Sequence, residues 1–158
     1  MIEIVGREKF DIGEMSSSGF GNLVSDEFGE DDFHEIIITC YNRSMRILEN
    51  PTTKQELIDA STNFIDENTI KAAVDIGREI MAVDSPMHYD CEQLLIENGS
   101  APNDIWGINL YLDEQNIDDM VEFDSMINIR PAQNNRTRSV ENPEIQAKIK
   151  SVVSKWIA

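Results

Sequence analysis

The chain has 158 residues, of which 41% are hydrophobic and 27% charged, a composition typical of one globular domain with its own core. Its 30 acidic and 13 basic residues give a formal net charge of −17, which repels phosphate backbones and anionic lipid surfaces, so nonspecific nucleic-acid binding is not expected. No apolar run approaches the roughly 18 residues of a membrane helix, and no secretory signal is evident. Together with two widely separated cysteines, Cys40 and Cys91, predicted to be small core residues, this indicates a cytoplasmic protein without a membrane span.

Residues 1–44 are predicted to be an N-terminal extension ahead of a core domain at 45–158. Ile2 and Ile4 alternate as in a short strand, but glycines and serines then break the periodicity until about residue 32. Within this stretch, an acidic run from Asp26 to Asp32, with Glu35 nearby, lacks the ligand spacing of a calcium loop and is interpreted as a solvated loop. Residues 33–48 fit both a helical face and a strand, and their Ile-Ile-Ile-Thr run favours extended structure.

The core domain opens with a helix and a hairpin. Thr53 and Glu56 form a capping-box pattern, which predicts a helix from there to about residue 64. Residues 70–83 alternate on both sides of a turn at Gly77, which predicts a β-hairpin. Asp90 is then the predicted cap of a two-turn helix that Gly99 ends.

A second hairpin is predicted from residues 105–112 and 120–130, joined by an acidic loop. The side chains predicted to face the core are Trp106, Ile108, Leu110, Leu112, Val121, Phe123, Ser125, Ile127 and Ile129. The opposite, polar face carries Asn109, Tyr111, Glu122, Asp124, Asn128 and Arg130. Asn142 and Pro143 start a last helix with one apolar stripe. These elements predict an α+β fold, with a mostly antiparallel sheet of two hairpins plus one or more N-terminal strands, and helices packed on one face.

Four runs of sequence in the last two thirds of the chain occur in a characteristic order. They are IKAAVDIGREIMA at 70–82, HYDCEQLLIENGS at 88–100, DIWGINLY at 104–111 and EFDSMINIRPAQNNRTRS at 122–139. Over about residues 45–158 the chain resembles a prokaryotic family of unknown function, domain-of-unknown-function family 5674. The resemblance implies a shared fold and brings no activity with it. The family's usual small residues before the histidine are here Asp84, Ser85 and Pro86.

One group of candidate residues lies around His88, the histidine of the second of these four runs. His88, Asp90 and Glu92 offer an imidazole and two carboxylates within five residues, the donor types that bind divalent metals. If a helix begins at Pro86, His88 and Glu92 share one face, whereas a helix beginning at Asp90 uses that carboxylate as its cap. His88, Asp90 and Asp124 are accordingly the candidate catalytic residues, and His88, Asp90 and Glu92 the candidate metal ligands.

The polar face of the second hairpin and the arginine-rich loop after it form the other candidate site. The residues proposed for ligand binding are Asn109, Glu122, Asp124, Asn128, Arg130, Asn135, Arg136 and Arg138. Guanidinium groups suit carboxylate or phosphate oxygens, and three arginines in nine residues make a local positive site in an acidic chain. Two alternatives stay open: the strand face is simply solvated, and the arginines bind the protein's own carboxylates, among them Asp124 and Glu141.

No P-loop, dinucleotide fingerprint or nucleophile elbow occurs, so kinase, dinucleotide-binding and serine-hydrolase classes lack support. The leading hypothesis is an interaction or ligand-binding module, without a predicted cofactor, that recognises a protein partner or a small anionic ligand. The alternative is a hydrolase of the phosphoester class that uses a divalent metal at His88 and nearby carboxylates.

Overall fold

The structure, a computed structural model, describes residues 45–66 and 68–158. The predicted N-terminal strand, the acidic loop, Cys40 and most of the ambiguous 33–48 stretch lie outside these ranges. The strands are β1 (Arg46–Ile47), β2 (Thr69–Asp75), β3 (Ile80–Ser85), β4 (Ile105–Tyr111) and β5 (Val121–Glu122). The α-helices are α1 (Lys54–Ala60), α2 (His88–Glu97), α3 (Ile117–Met120) and α4 (Pro143–Trp156), and short 3-10 turns lie at Pro102–Asp104, Met126–Asn128 and Pro131–Gln133.

The five strands form one sheet in the order β1-β3-β2-β4-β5, and every pair of neighbours is antiparallel. The predicted α+β class with an antiparallel sheet is therefore confirmed. The first hairpin is β2 and β3, and β2 also pairs along its full length with β4. Among the described residues, no helix is long and apolar enough to cross a membrane.

The caps of two helices follow the predicted chemistry. At the start of α1 the Thr53 hydroxyl accepts from the Glu56 backbone N–H, and the Glu56 carboxylate accepts from the Thr53 backbone N–H. Asn142 caps α4 through the Glu144 N–H, with Pro143 in the first turn. Helix α1 ends at Ala60, which is shorter than the predicted helix to about residue 64.

Helices cover both faces of the sheet. Ile70, Ala72 and Val74 of β2 belong to a large apolar cluster that also contains residues of α1 and α4. Ala73, on the opposite face, joins a smaller cluster with Cys91 and Leu95 of α2. Helices therefore lie on both faces of the sheet, whereas the sequence analysis predicted helices on one face only. Helix α2 covers the face that carries the polar residues of β4.

The second hairpin is much shorter than its alternation predicts. Only Val121 and Glu122 pair with β4, opposite Leu110 and Asn109, so the prediction of a strand through residues 123–130 is wrong. The cause lies at Gly107, where a Cβ would stand 2.5 Å from Ser125 Oγ and 2.9 Å from Ile127 Cγ1. The chain after β5 folds over this glycine instead of running beside it.

Asn128 takes the hydrogen bonds that the missing part of β5 would have made. Its Oδ1 accepts from the Gly107 N–H at 2.8 Å, and its Nδ2 donates to the Gly107 carbonyl at 2.9 Å. The side chain is fully buried, so its predicted place on the polar, ligand-facing surface is wrong. A side-chain amide has the same donor and acceptor as a backbone peptide. The Gly107 N–H and carbonyl are therefore hydrogen-bonded although β5 does not extend alongside this part of β4.

Candidate functional site

A row of polar side chains crosses three strands beneath the first turn of α2. Lys71 of β2 is the register partner of Asn109 of β4, and Asn109 is the register partner of Glu122 of β5. Residues directly opposite one another in antiparallel strands project on the same face, so the three side chains stand side by side. The predicted polar face is thus present here, although it is limited to this row and Tyr111.

Glu122 is held in place by two hydrogen bonds to one of its oxygens. Asn109 Nδ2 donates to Oε2 at 2.8 Å, and the Tyr111 hydroxyl donates to the same oxygen at 3.0 Å. The bond to the carboxylate raises the pKa of Tyr111 above its ordinary value, because loss of the phenolic proton would remove it. Glu122 is exposed, so its carboxylate is oriented towards solvent in a defined position.

Two polar groups of the row have no partner of their own in the part of the chain that the structure describes. Lys71 is half-buried, yet its ammonium forms neither an ion pair nor a hydrogen bond there. Asn109 is only 8% exposed, and its Oδ1 is buried without a hydrogen bond. Since Asn109 Nδ2 must face the Glu122 carboxylate, which only accepts, Oδ1 is turned away from β5. Unpaired buried polar groups are costly and therefore uncommon.

His88 is the first residue of α2, and its ring reaches down to the sheet. Nε2 lies 3.0 Å from the carbonyl oxygen of Ile108, which can only accept, so Nε2 carries the proton and Nδ1 is the basic nitrogen of the neutral ring. Burial lowers the pKa of His88, and the bond to Ile108 opposes this in part; Lys71 lowers the pKa further, while Asn109 and Asp124 raise it. His88 lies beside the row, because Ile108, whose carbonyl it contacts, is the neighbour of Asn109 in β4.

The N-cap of α2 is Met87, three residues before the predicted Asp90 cap, so that prediction is wrong. Met87 is the N-cap residue and supplies no side-chain hydrogen bond to the first turn. Asp90 instead accepts from the Ser85 hydroxyl at 3.0 Å, and the same hydroxyl accepts from the Met87 N–H. Ser85 competes successfully for Asp90 because β3 continues to that residue, which fixes the hydroxyl beside the helix.

The three predicted metal ligands are not brought together. His88 contacts Ile108, Asp90 contacts Ser85, and Glu92 forms an ion pair at 2.9 Å with Arg130. Burial raises the pKa of Glu92, which Arg130 opposes only in part. Within residues 45–66 and 68–158, no group of three His, Cys, Asp or Glu side chains is arranged to hold a metal ion.

Two residues of the arginine-rich loop have structural roles instead of the predicted ligand contacts. Asn135 is buried and donates to the carbonyls of residues 128, 137 and 139. Arg130 donates to the Pro102 and Ile127 carbonyls, pairs with Glu92, and lies 5.1 Å from the centre of the Trp106 ring. Together with Asn128 they shape the loop from within, and the prediction of a ligand-facing role is wrong for all three.

The other two arginines lie at the surface. Arg138 forms a two-point ion pair with Asp124, with N to O distances of 2.7 and 2.9 Å. Arg136 is exposed, and its backbone N–H donates to Glu141. The protein's own carboxylates therefore bind much of this loop, as one of the two alternatives proposed. Asp124 comes two residues after Glu122, and its negative charge raises the pKa of His88.

A family model described as "Protein of unknown function (DUF5674)" matches residues 46–156, well over half of the chain. The chain belongs to the DUF5674 family. The match runs from the first residue of β1 to the last residue of α4, and it includes Lys71, His88, Asn109 and Glu122. No curated protein and no solved structure matches the chain significantly. The family resemblance is thus confirmed, and the DUF5674 description assigns no activity to these residues.

Lys71 is the site residue that the sequence analysis missed. It is one of the residues that alternate with the apolar positions of the first hairpin, and nothing in that pattern connects it with residue 109 or 122. The available signal is that it is the one basic residue of β2, on the side opposite the large apolar cluster. Its importance appears only when β4 is known to pair with β2.

Proposed function

We propose that this protein is a ligand-binding module whose site is the row of Lys71, Asn109 and Glu122, beneath His88, and that Lys71 binds an anionic group of a small ligand. The observation that carries the proposal is that Lys71 is half-buried and its ammonium has no ion pair among the described residues, in a chain with 30 acidic residues. With so many carboxylates in the chain, an ammonium that serves only stability is expected to be paired.

The surroundings of Lys71 suit a carboxylate or a phosphate. The N-cap residue Met87 offers no side-chain acceptor to the N–H groups of the first turn of α2, and the positive end of the helix dipole lies there. Ser85, the register partner of Lys71, comes three residues before His88, which puts the lysine next to this helix end. An ammonium beside a helix N-terminus attracts anions through charge and hydrogen bonds together.

In this proposal the arginine-rich loop contributes less to ligand binding than the hypothesis drawn from the sequence expected. Arg130 is committed to internal contacts, and Arg138 is paired with Asp124. In this proposal the loop forms one side of the site, since Asp124, the partner of Arg138, comes two residues after Glu122. No metal takes part in the proposed binding.

An NMR titration of the labelled full chain with inorganic phosphate and with acetate tests the proposal. We expect the largest amide shifts at residues 71, 88 and 109. In the variant Lys71→Met the affinity is expected to fall by about tenfold or more, because a charge-assisted contact is lost. Lys148→Met is the matched control, since Lys148 is an exposed lysine of α4 on the other side of the sheet. Equal affinity in both variants, or no shifts on this face, would overturn the proposal.

A further inference from the structure

The site contains two opposite charges that are held apart. Lys71 and Glu122 flank Asn109 on the same face, so their Cα atoms are separated by two strand spacings, about 10 Å. No ion pair joins them, although both side chains are long. Glu122 is instead fixed by Asn109 and Tyr111, which leaves its Oε1 without a protein donor among the described residues.

From this separation we infer that the ligand is zwitterionic: its anionic group binds at Lys71 and a cationic amine binds at the exposed Glu122 carboxylate. The inference rests on the proposed function and names the ligand class for the same site. An anion alone would leave the ordered Glu122 carboxylate uncompensated and close to a like charge. An amine on the same molecule removes this repulsion and supplies the N–H donor that Glu122 Oε1 lacks.

The arrangement also has a structural reason to keep the charges apart. Asn109 is 8% exposed and donates to Glu122, so moving the carboxylate to Lys71 would leave that amide without a partner. The Tyr111 hydroxyl adds a second restraint. The carboxylate is thus positioned before any ligand arrives, which lowers the entropy lost on binding.

Matched pairs of probes test the inference: butyrate against γ-aminobutyrate, and methyl phosphate against phosphoethanolamine. We expect the full-length protein to bind the zwitterion of at least one pair about threefold or more tightly than its monoanion, the effect of one partly exposed ion pair. In Glu122→Gln, whose amide oxygen still accepts from Asn109 and Tyr111, this preference is expected to disappear while monoanion binding is kept or improved. Glu97→Gln, an exposed residue at the far end of α2, is the control.

The outcomes separate the inference from the proposed function. If monoanions bind at Lys71 as well as the zwitterions do, or if Glu122→Gln keeps the preference, the inference is overturned and the anion site stands. If no probe perturbs the amides of residues 71 and 109, both are overturned. If the preference is present in the natural protein and in Glu97→Gln, and is absent in Glu122→Gln, both are supported.

Discussion

Asn128 is the residue on which the loop around the site depends most directly, and its replacement by alanine is the sharpest test of the fold. The fully buried amide makes three hydrogen bonds, two with the Gly107 backbone and one with the Arg138 carbonyl at 2.9 Å. At about 1 kcal/mol for each bond, Asn128→Ala is expected to reduce the free energy of unfolding by about 3 kcal/mol. This is a large fraction of the total stability of a domain, about 5–15 kcal/mol.

Urea denaturation followed by circular dichroism measures the loss, and hydrogen exchange locates it. With a denaturant dependence of about 1–3 kcal/mol per molar urea, the midpoint should fall by about 1–3 M. The Gly107 amide should also exchange faster, because its acceptor is gone. Asn103→Ala, an exposed position without a side-chain hydrogen bond in the described chain, is expected to cost less than about 0.5 kcal/mol. A loss below about 1 kcal/mol for Asn128→Ala would refute the view that this side chain replaces the end of β5.

Two further predictions concern ionisable residues, Arg130 and His88. Arg130→Ala is expected to lower the unfolding free energy by about 2–4 kcal/mol, because it leaves the largely buried Glu92 without its partner. The control Arg136→Ala, at an exposed position, should change it by less than about 0.5 kcal/mol. Equal effects of the two substitutions in thermal melts would contradict the structural role of Arg130. For His88, the folded-state pKa lies below the unfolded value of about 6.5, so the unfolded chain binds the proton more readily and stability is lost as the pH falls from above 6.5 through the folded pKa. His88→Gln keeps a donor for Ile108 and should lose less stability than the natural protein between about pH 7.5 and 5.5 in urea melts, and an identical loss in both would exclude a buried, neutral His88.

The elements that the sequence predicted well are those whose signals are local. A capping box, an Asn-Pro helix start and a glycine at a helix end act within a few residues, and α1, α4 and the end of α2 follow them. Gly99 has a φ of 93°, a conformation that glycine adopts without strain. The alternation of β4 likewise placed Trp106 and Ile108 in the core, where both are buried.

The errors arose where a residue's role depends on a neighbour distant in sequence. Residues 121–130 alternate as in a strand, but Ser125 and Ile127 occupy the space above Gly107. The buried Asn128 side chain then hydrogen-bonds the Gly107 backbone in place of a neighbouring strand. Asp90 has the chemistry of a helix cap, yet it binds Ser85, which lies on the preceding strand. Neither competition is visible in a local pattern.

By itself the sequence determined the α+β class, the starts of α1 and α4, the buried face of β4 and the family of the chain, because periodicity, capping chemistry and ordered motifs are properties of short segments. Only the tertiary structure decided which polar residues meet. Lys71, Asn109 and Glu122 come from three different parts of the chain and become neighbours through the pairing of β2, β4 and β5. The tertiary structure also turned Asn128, Arg130 and Asn135 inward, where each side chain donates hydrogen bonds to backbone carbonyls.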